Sequence, residues 1–177
     1  MDLILSASGR EGSRTRRVAE QYKLLLAEKG VEARILSLQG IDVLNRDKRF
    51  IEIEEEWIAP AERIYFIVPE YNGSFPGILK SFIDTVKDHL IWKDKRALLT
   101  GVSTGRAGNL RGLDHLTGIL HYLQVSVYHN RLPISSISRL MNEAGVLTDE
   151  GTLKAINDQL DGFLEWCRHT YPVYQVK

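Results

Sequence analysis

Apolar residues along the chain gather in five short runs, separated by longer stretches in which they recur every three or four positions. A run of β-branched, aromatic and aliphatic residues reads as a buried strand, and the wider spacing reads as one face of a helix. The strand candidates are Asp2–Ser6, Glu32–Ser37, Arg63–Pro69, Arg96–Ser103 and Val125–Tyr128. The stretches IYFIV and ALLTGV are apolar without alternation, so they are expected at the centre of a sheet covered on both faces. Between the first two strands, Val18, Tyr22, Leu25 and Leu26 share one helical face, and Gly30 marks the stop. Leu153, Ile156, Leu160, Phe163 and Leu164 predict a closing helix, with Thr148 as its cap. The charged, weakly periodic stretch Asp42–Trp57 predicts one more helix. The order βαβαβαβαβα is that of repeated βα units around a parallel sheet, in one domain spanning residues 1–177.

Charge narrows the partners. Lys plus Arg number 23 and Asp plus Glu number 23, so the chain lacks the positive field with which nucleic-acid or anionic-membrane binders collect their partners. The opening MDLILSAS reads as a first strand rather than a secretory signal, since no basic segment precedes its short apolar run. No apolar run approaches the roughly 18 residues of a membrane span, and the single cysteine, Cys167, has no partner in the chain for a disulfide. A reducing cytosol is the expected compartment.

In an open parallel sheet, ligands bind beyond the carboxyl ends of the strands. Three of those ends here run into loops rich in Gly, Ser, Asn and Arg: SASGREGSRTR, PEYNGSFPG and STGRAGN. In the first, Ser8, Arg10, Ser13, Arg14 and Thr15 offer hydroxyl and guanidinium donors just before a helix whose unpaired N–H groups favour a phosphate. GREGSR lacks the Gly-Lys-Ser/Thr ending of a triphosphate loop, and no GxGxxG follows the first strand, so a mononucleotide is the simpler ligand. A plainer alternative is that Ser13 only caps the helix while the arginines are solvated. In the second loop, Tyr71 and the backbone of Asn72 and Gly73 suit a flat heterocycle with a polar edge, although Tyr71 packed as core in an ordinary turn is the competing reading. In the third, Gly105 and Gly108 allow close backbone approach, and Arg106 meets either a ligand or only solvent.

The three loops, in this order, resemble those of the NAD(P)H-dependent FMN reductase family, whose members include quinone, chromate and azo-dye reductases. Ser8, Arg10, Ser13 and Thr15 resemble the family's phosphate loop, with Thr15 where Asn is more usual. The segment from Pro69 to Asp84 is similar to its most specific stretch, with Ser81 and Phe82 where Asn and Ala are frequent. Ser103 to Gly112 resembles its third loop, with Asn109 where a second Gly is common. The resemblance implies a flavodoxin-like three-layer α/β sandwich with five parallel strands in the order 2-1-3-4-5. It implies that Ser8, Arg10, Ser13, Arg14 and Thr15 hold the FMN phosphate. Pro69, Glu70, Tyr71, Asn72, Gly73 and Ser74, with Ser103, Thr104, Gly105, Arg106 and Gly108, would frame the ring. It also implies a homodimer or homotetramer, with residues such as Lys80 near a neighbouring chain.

Hydride from NADPH or NADH would then reach flavin N5 and pass on to a quinone, azo compound, metal oxyanion or flavin by ping-pong turnover. No catalytic side chain is expected, because the cofactor carries the chemistry. Cys167 sits late in the last helix without a Cys-x5-Arg pattern and reads as a packed or surface thiol. His115, His121 and His129 lack ligand spacing, so no metal is expected. The main rival is a flavodoxin-type electron carrier, against which the neutral charge and the arginine-rich first loop argue. A second rival is a regulatory domain that kept the fold and lost the cofactor. The segment from Tyr128 to Gly145 matches no motif and is expected to form part of the acceptor wall.

Overall fold

Each of the apolar runs forms a strand in the computed structural model, which describes residues 1–169. The strands are β1 (Asp2–Ser6), β2 (Ala33–Ser37), β3 (Arg63–Pro69), β4 (Arg96–Val102), β5 (Ser126–Val127) and β6 (Leu132–Ile134). The α-helices are α1 (Arg14–Glu28), α2 (Lys48–Ile53), α3 (Gly77–Thr85), α4 (Leu110–Tyr122), α5 (Ile137–Leu140) and α6 (Glu150–Arg168). All strands run parallel in the order β2-β1-β3-β4-β5, with β6 also beside β4, which is the flavodoxin-like order. Among the described residues no helix is long and apolar enough to cross a membrane.

The two-residue period of a strand divides the core. Leu3, Leu5, Ile64, Phe66, Val68, Ala97 and Leu99 face one layer, where α2, α3 and α4 bury Phe50, Phe82 and Leu116. Ile4, Tyr65, Ile67 and Leu98 face the other, against Val18, Tyr22 and Leu26 of α1 and Ile156, Leu160 and Phe163 of α6. Both helical faces expected for α1 and α6 are thus the buried ones.

The fifth strand departs from expectation. Instead of one run over Val125–Tyr128, two short strands occupy that edge: β5 pairs with Arg96 and Ala97, and β6 with Thr100 to Val102. Tyr128 gives that edge its last bond, its N–H donating to Ala97 O (2.8 Å), while its ring packs on Phe163 and Trp166, with centroids 5.7 and 5.6 Å away. The interruption exposes carbonyls that a continuous ladder would satisfy, and an unpaired buried carbonyl costs about 1–3 kcal/mol. Gln159, fully buried on α6, closes the gap: its Nε2 donates to Leu99 O (3.1 Å) and Asn130 O (2.8 Å). Its Oε1 accepts from Tyr22 Oη (2.7 Å) and Thr100 Oγ1 (3.2 Å).

Local signals set most helix ends. Ser13 caps α1, its Oγ accepting from Thr15 N at 3.2 Å, and Gly30 follows α1 in the left-handed region at φ +74°. For α6 the cap is Asp149 rather than the expected Thr148. The Asp149 carboxylate accepts from both Thr152 N (2.8 Å) and Thr152 Oγ1 (2.7 Å), a pair of bonds that holds its pKa below the usual carboxylate value. The stretch Asp42–Trp57 is helical only from Lys48, capped by Asp47, and widens into a π-helical turn over Glu54–Ile58. The turn begins at Glu54, a buried carboxylate held by Arg46 (2.5 Å) and by Lys87 N (2.9 Å).

Candidate functional site

The first loop leaves β1 at Ser6 and reaches α1 through Gly12, whose φ of +61° few residues other than Gly adopt. Ser8 is buried; its Oγ accepts from Arg10 N (3.2 Å) and shares a hydrogen bond with Tyr71 Oη (3.0 Å). The Arg10 guanidinium lies 4.1 Å from the Tyr71 ring centroid, a cation–π stack that joins the first loop to the second. Arg16 is engaged by Glu20 (2.9 Å) and Arg17 by Ala144 O (2.6 Å), which leaves Arg10 and Arg14 as the cations facing the cleft beside this loop.

The second loop turns sharply. Tyr71 and Ser74 exchange main-chain bonds (2.9 and 3.2 Å) around Asn72 and Gly73, at φ 52° and 78°. Positive φ at both central residues is the type I′ turn for which Asn-Gly is the favoured pair. Ser74 Oγ is hydrogen-bonded to His115 Nδ1 of α4 at 2.8 Å. Glu70 Oε2 accepts from Asn109 N (3.1 Å), a carboxylate at the start of α4 where the helix dipole favours it. The third loop is held from within by Ser103 Oγ, which donates to Gly105 O (2.9 Å) and accepts from Gly108 N (3.0 Å).

The three loops meet at a cleft of about 250 Å³. Of the residues expected from sequence, Arg10, Ser13, Arg14, Thr15, Pro69, Glu70, Tyr71, Ser103 and Thr104 line it. Ser8 stands behind Tyr71, to which it is bonded. Asn72 and Gly73 form the turn, and Ser74 faces α4. Gly105 and Gly108 are tied to Ser103, and Arg106 is exposed to solvent. Four lining residues were not anticipated as binding residues: Glu11, Gly12, Val102 and Ile137. Glu11 and Gly12 lie inside the GREGSR run, so that motif already pointed to them. Ile137 comes from α5, within the unmatched segment expected to form a wall, and no local signal marks it. A second groove, of about 540 Å³, runs between α3 and α4 past Lys80, Asp84, His115 and Tyr122.

A family model described as NADPH-dependent FMN reductase matches residues 3–137, a span that takes in all three loops. The chain belongs to the NADPH-dependent FMN reductase family. An NAD(P)H-dependent FMN reductase of Pseudomonas aeruginosa is 30% identical over 175 residues, covering 94% of each chain. A quinone reductase of Escherichia coli K12 is 31% identical over 121 residues, or 66% of this chain and 64% of that one. In fold, the reductase superposes on FerB, a flavoenzyme NAD(P)H:(acceptor) oxidoreductase of Paracoccus denitrificans, with a TM-score of 0.81 at 22% identity over 94% and 96% of the two chains. The match to the family model stops within α5, so the hairpin beyond it, with its Met141–Leu147 bridge, lies outside the matched region.

Proposed function

We propose that this reductase binds FMN in the cleft between its three loops and passes hydride equivalents from NADPH or NADH to a small acceptor by ping-pong turnover. The observation that carries the reading is the convergence of Arg10 and Arg14, two cations at the N-terminal end of α1 without a carboxylate partner among the described residues, with Tyr71 and the turns of the second and third loops. The residues present suit FMN. Ser13, Thr15 and the first-turn amides of α1 would hold a dianionic phosphate with Arg10 and Arg14, while Gly12 lets the backbone approach. Pro69 to Ser74 and Ser103 to Gly108 would frame the ring, Tyr71 giving an apolar face and the turn backbones a polar edge.

Bound there, FMN would supply the two-electron redox chemistry between the nicotinamide donor and the second substrate. The chain's own residues bind, orient and exclude water. Ser8 and Arg10 fix the Tyr71 ring, and Ile137 with Val102 adds apolar lining to the cleft. The acceptor class this supports is a quinone, azo compound, metal oxyanion or free flavin in the cytosol. A homodimer or homotetramer is the proposed assembly; the α3–α4 groove, with Lys80 and the 83% exposed Tyr122, would be its contact face.

The test is to load the protein with FMN, add NADPH or NADH anaerobically, and follow the flavin absorbance. Rapid bleaching, reversed by a benzoquinone, supports the reductase reading. Stable colour in the presence of both donors would make the chain an electron carrier of the flavodoxin type, and failure to take up FMN would leave a fold without its cofactor.

A further inference from the structure

We propose that Asn109 is a positioning residue of this reductase: one buried side chain sets the separation of the second and third loops. The inference rests on the reading of those loops as the walls of the flavin site. Asn109 is 1% exposed and stands immediately before α4 with φ +64°. Three bonds leave it for three consecutive residues at the root of the second loop. Its Nδ2 donates to Val68 O (3.1 Å) and Pro69 O (3.0 Å), and its main-chain N–H donates to Glu70 Oε2 (3.1 Å).

These bonds lie at the last rungs of the sheet. The β3–β4 ladder pairs Val68 with Gly101 and Pro69 with Val102, and its last rung is Glu70 N to Val102 O at 2.9 Å. Past that rung, among the described residues, the second loop closes on itself through Tyr71 and Ser74, while Ser103 N turns away to Ile134 O (2.9 Å). Besides the ladder, then, the hydrogen bonds among the described residues that join the third loop to the end of β3 and to Glu70 are those of Asn109.

Two glycines that no turn requires make room for this arrangement. Gly101 lies inside β4, and a Cβ there would come within 2.0 Å of Gly108 O and 3.1 Å of Asn109 Cβ. Gly112 lies inside α4, and a Cβ there would fall 2.1 Å from Asn109 Oδ1 and 2.6 Å from Phe75 N. Glycine weakens both strand and helix interiors, so its presence in both beside one asparagine marks a close approach that the fold maintains. The left-handed backbone itself accepts Gly, Asn or Asp with little strain. A Gly here would satisfy the backbone but supply no Nδ2, so the clamp is a property of the asparagine.

The variant Asn109→Gly separates the two roles, because it keeps the left-handed backbone and removes the side-chain donors. In protein without added flavin, amide hydrogen exchange over residues 69–75 and 103–108 should accelerate about tenfold or more, with α6 unchanged, since lost local bonds lower the free energy of local opening. With FMN, the dissociation constant should rise about tenfold and the visible circular dichroism of the bound flavin should change, in proportion to two lost hydrogen bonds. Gly112→Ala, whose Cβ would displace the Asn109 side chain while the residue itself is kept, should produce the same loosening, and it serves if Asn109→Gly folds poorly.

Unaltered exchange in both variants overturns the proposal. So does a lowered melting temperature accompanied by wild-type flavin affinity and dichroism, because Asn109 would then support only the fold. If wild-type protein does not bind FMN while the exchange effect is present, the clamp stands and the cofactor reading fails.

Discussion

The two ends of the central sheet contain similar residues put to different use. At the amino end, Asp2 is buried and accepts from Arg63 Nη2 (2.7 Å) and Tyr65 Oη (2.8 Å). Arg96 donates to Cys167 O (2.7 Å), and Lys95 donates to Ala59 O (3.1 Å) and Ala61 O (2.5 Å). At the carboxyl end, Arg10 stacks on Tyr71 and, with Arg14, faces the cleft without a carboxylate partner among the described residues. A charged group matched inside the protein supports the fold, whereas one left facing a cleft beside a helix N-terminus is available to a ligand. The parallel arrangement adds to the difference, because it brings the N-terminal ends of the following helices to the carboxyl ends of the strands.

The sharpest way to break this contrast is to remove the unmatched cations. Arg10→Ala combined with Arg14→Ala should weaken FMN binding about 100-fold or more, the loss expected for two charge-assisted contacts, and leave the melting temperature nearly unchanged. Fluorescence titration measures the first and thermal denaturation the second. Retained affinity would mean that the two ends do not differ as described.

The next effect is on stability alone. Gln159→Leu strands Leu99 O and Asn130 O at the broken fifth strand and should cost about 2–4 kcal/mol in urea denaturation. FMN affinity should stay within about twofold, since α6 contributes no residue to the cleft lining. Asp2→Asn at the amino end is a smaller case of the same kind. It should destabilise by about 1–2 kcal/mol, Arg63 being only partly screened by solvent, with flavin binding intact.

The amino end and the layer beside α6 also set an alkaline limit. Burial raises Tyr22 above its ordinary 10.0, and burial together with the neighbouring Asp2 raises Tyr65 above the same value. Burial likewise raises the Cys167 thiol above 9.0. In each case the unfolded chain releases its proton first. The stabilisation is therefore complete below about pH 9 and is lost as pH rises through the tyrosine range, so the urea midpoint should be flat from neutrality to about pH 8.5 and then fall. A midpoint that stays level to pH 11 would contradict it. The smallest effect concerns reactivity: Cys167 should resist thiol reagents at pH 8 in the native protein and react readily in urea.

What local chemistry dictates was legible along the chain. Strand positions followed from apolar runs, the faces of α1 and α6 from helical spacing, and the turn at Asn72 and Gly73 from the backbone freedom of that pair. The cleft itself was legible through its three polar loops, because a parallel sheet brings its carboxyl ends to one side and nine of the expected residues meet there. Ser8 was expected to bind directly; instead it stands outside the cleft lining, hydrogen-bonded to Tyr71, 63 positions away, a contact the chain's local pattern does not show.

By itself, then, the amino-acid sequence determined the order of the first four βα units, the parallel sheet and the side on which the three-loop cleft lies, since each depends on steric and solvation preferences acting over a few residues. Only tertiary structure decided that the fifth strand breaks in two, that Ile137 joins the cleft and that Asn109 reaches back about forty positions to β3. Those outcomes hang on which carbonyls remain unsatisfied once the layers have packed, and a buried carbonyl takes whatever donor the fold brings near, regardless of its distance along the chain.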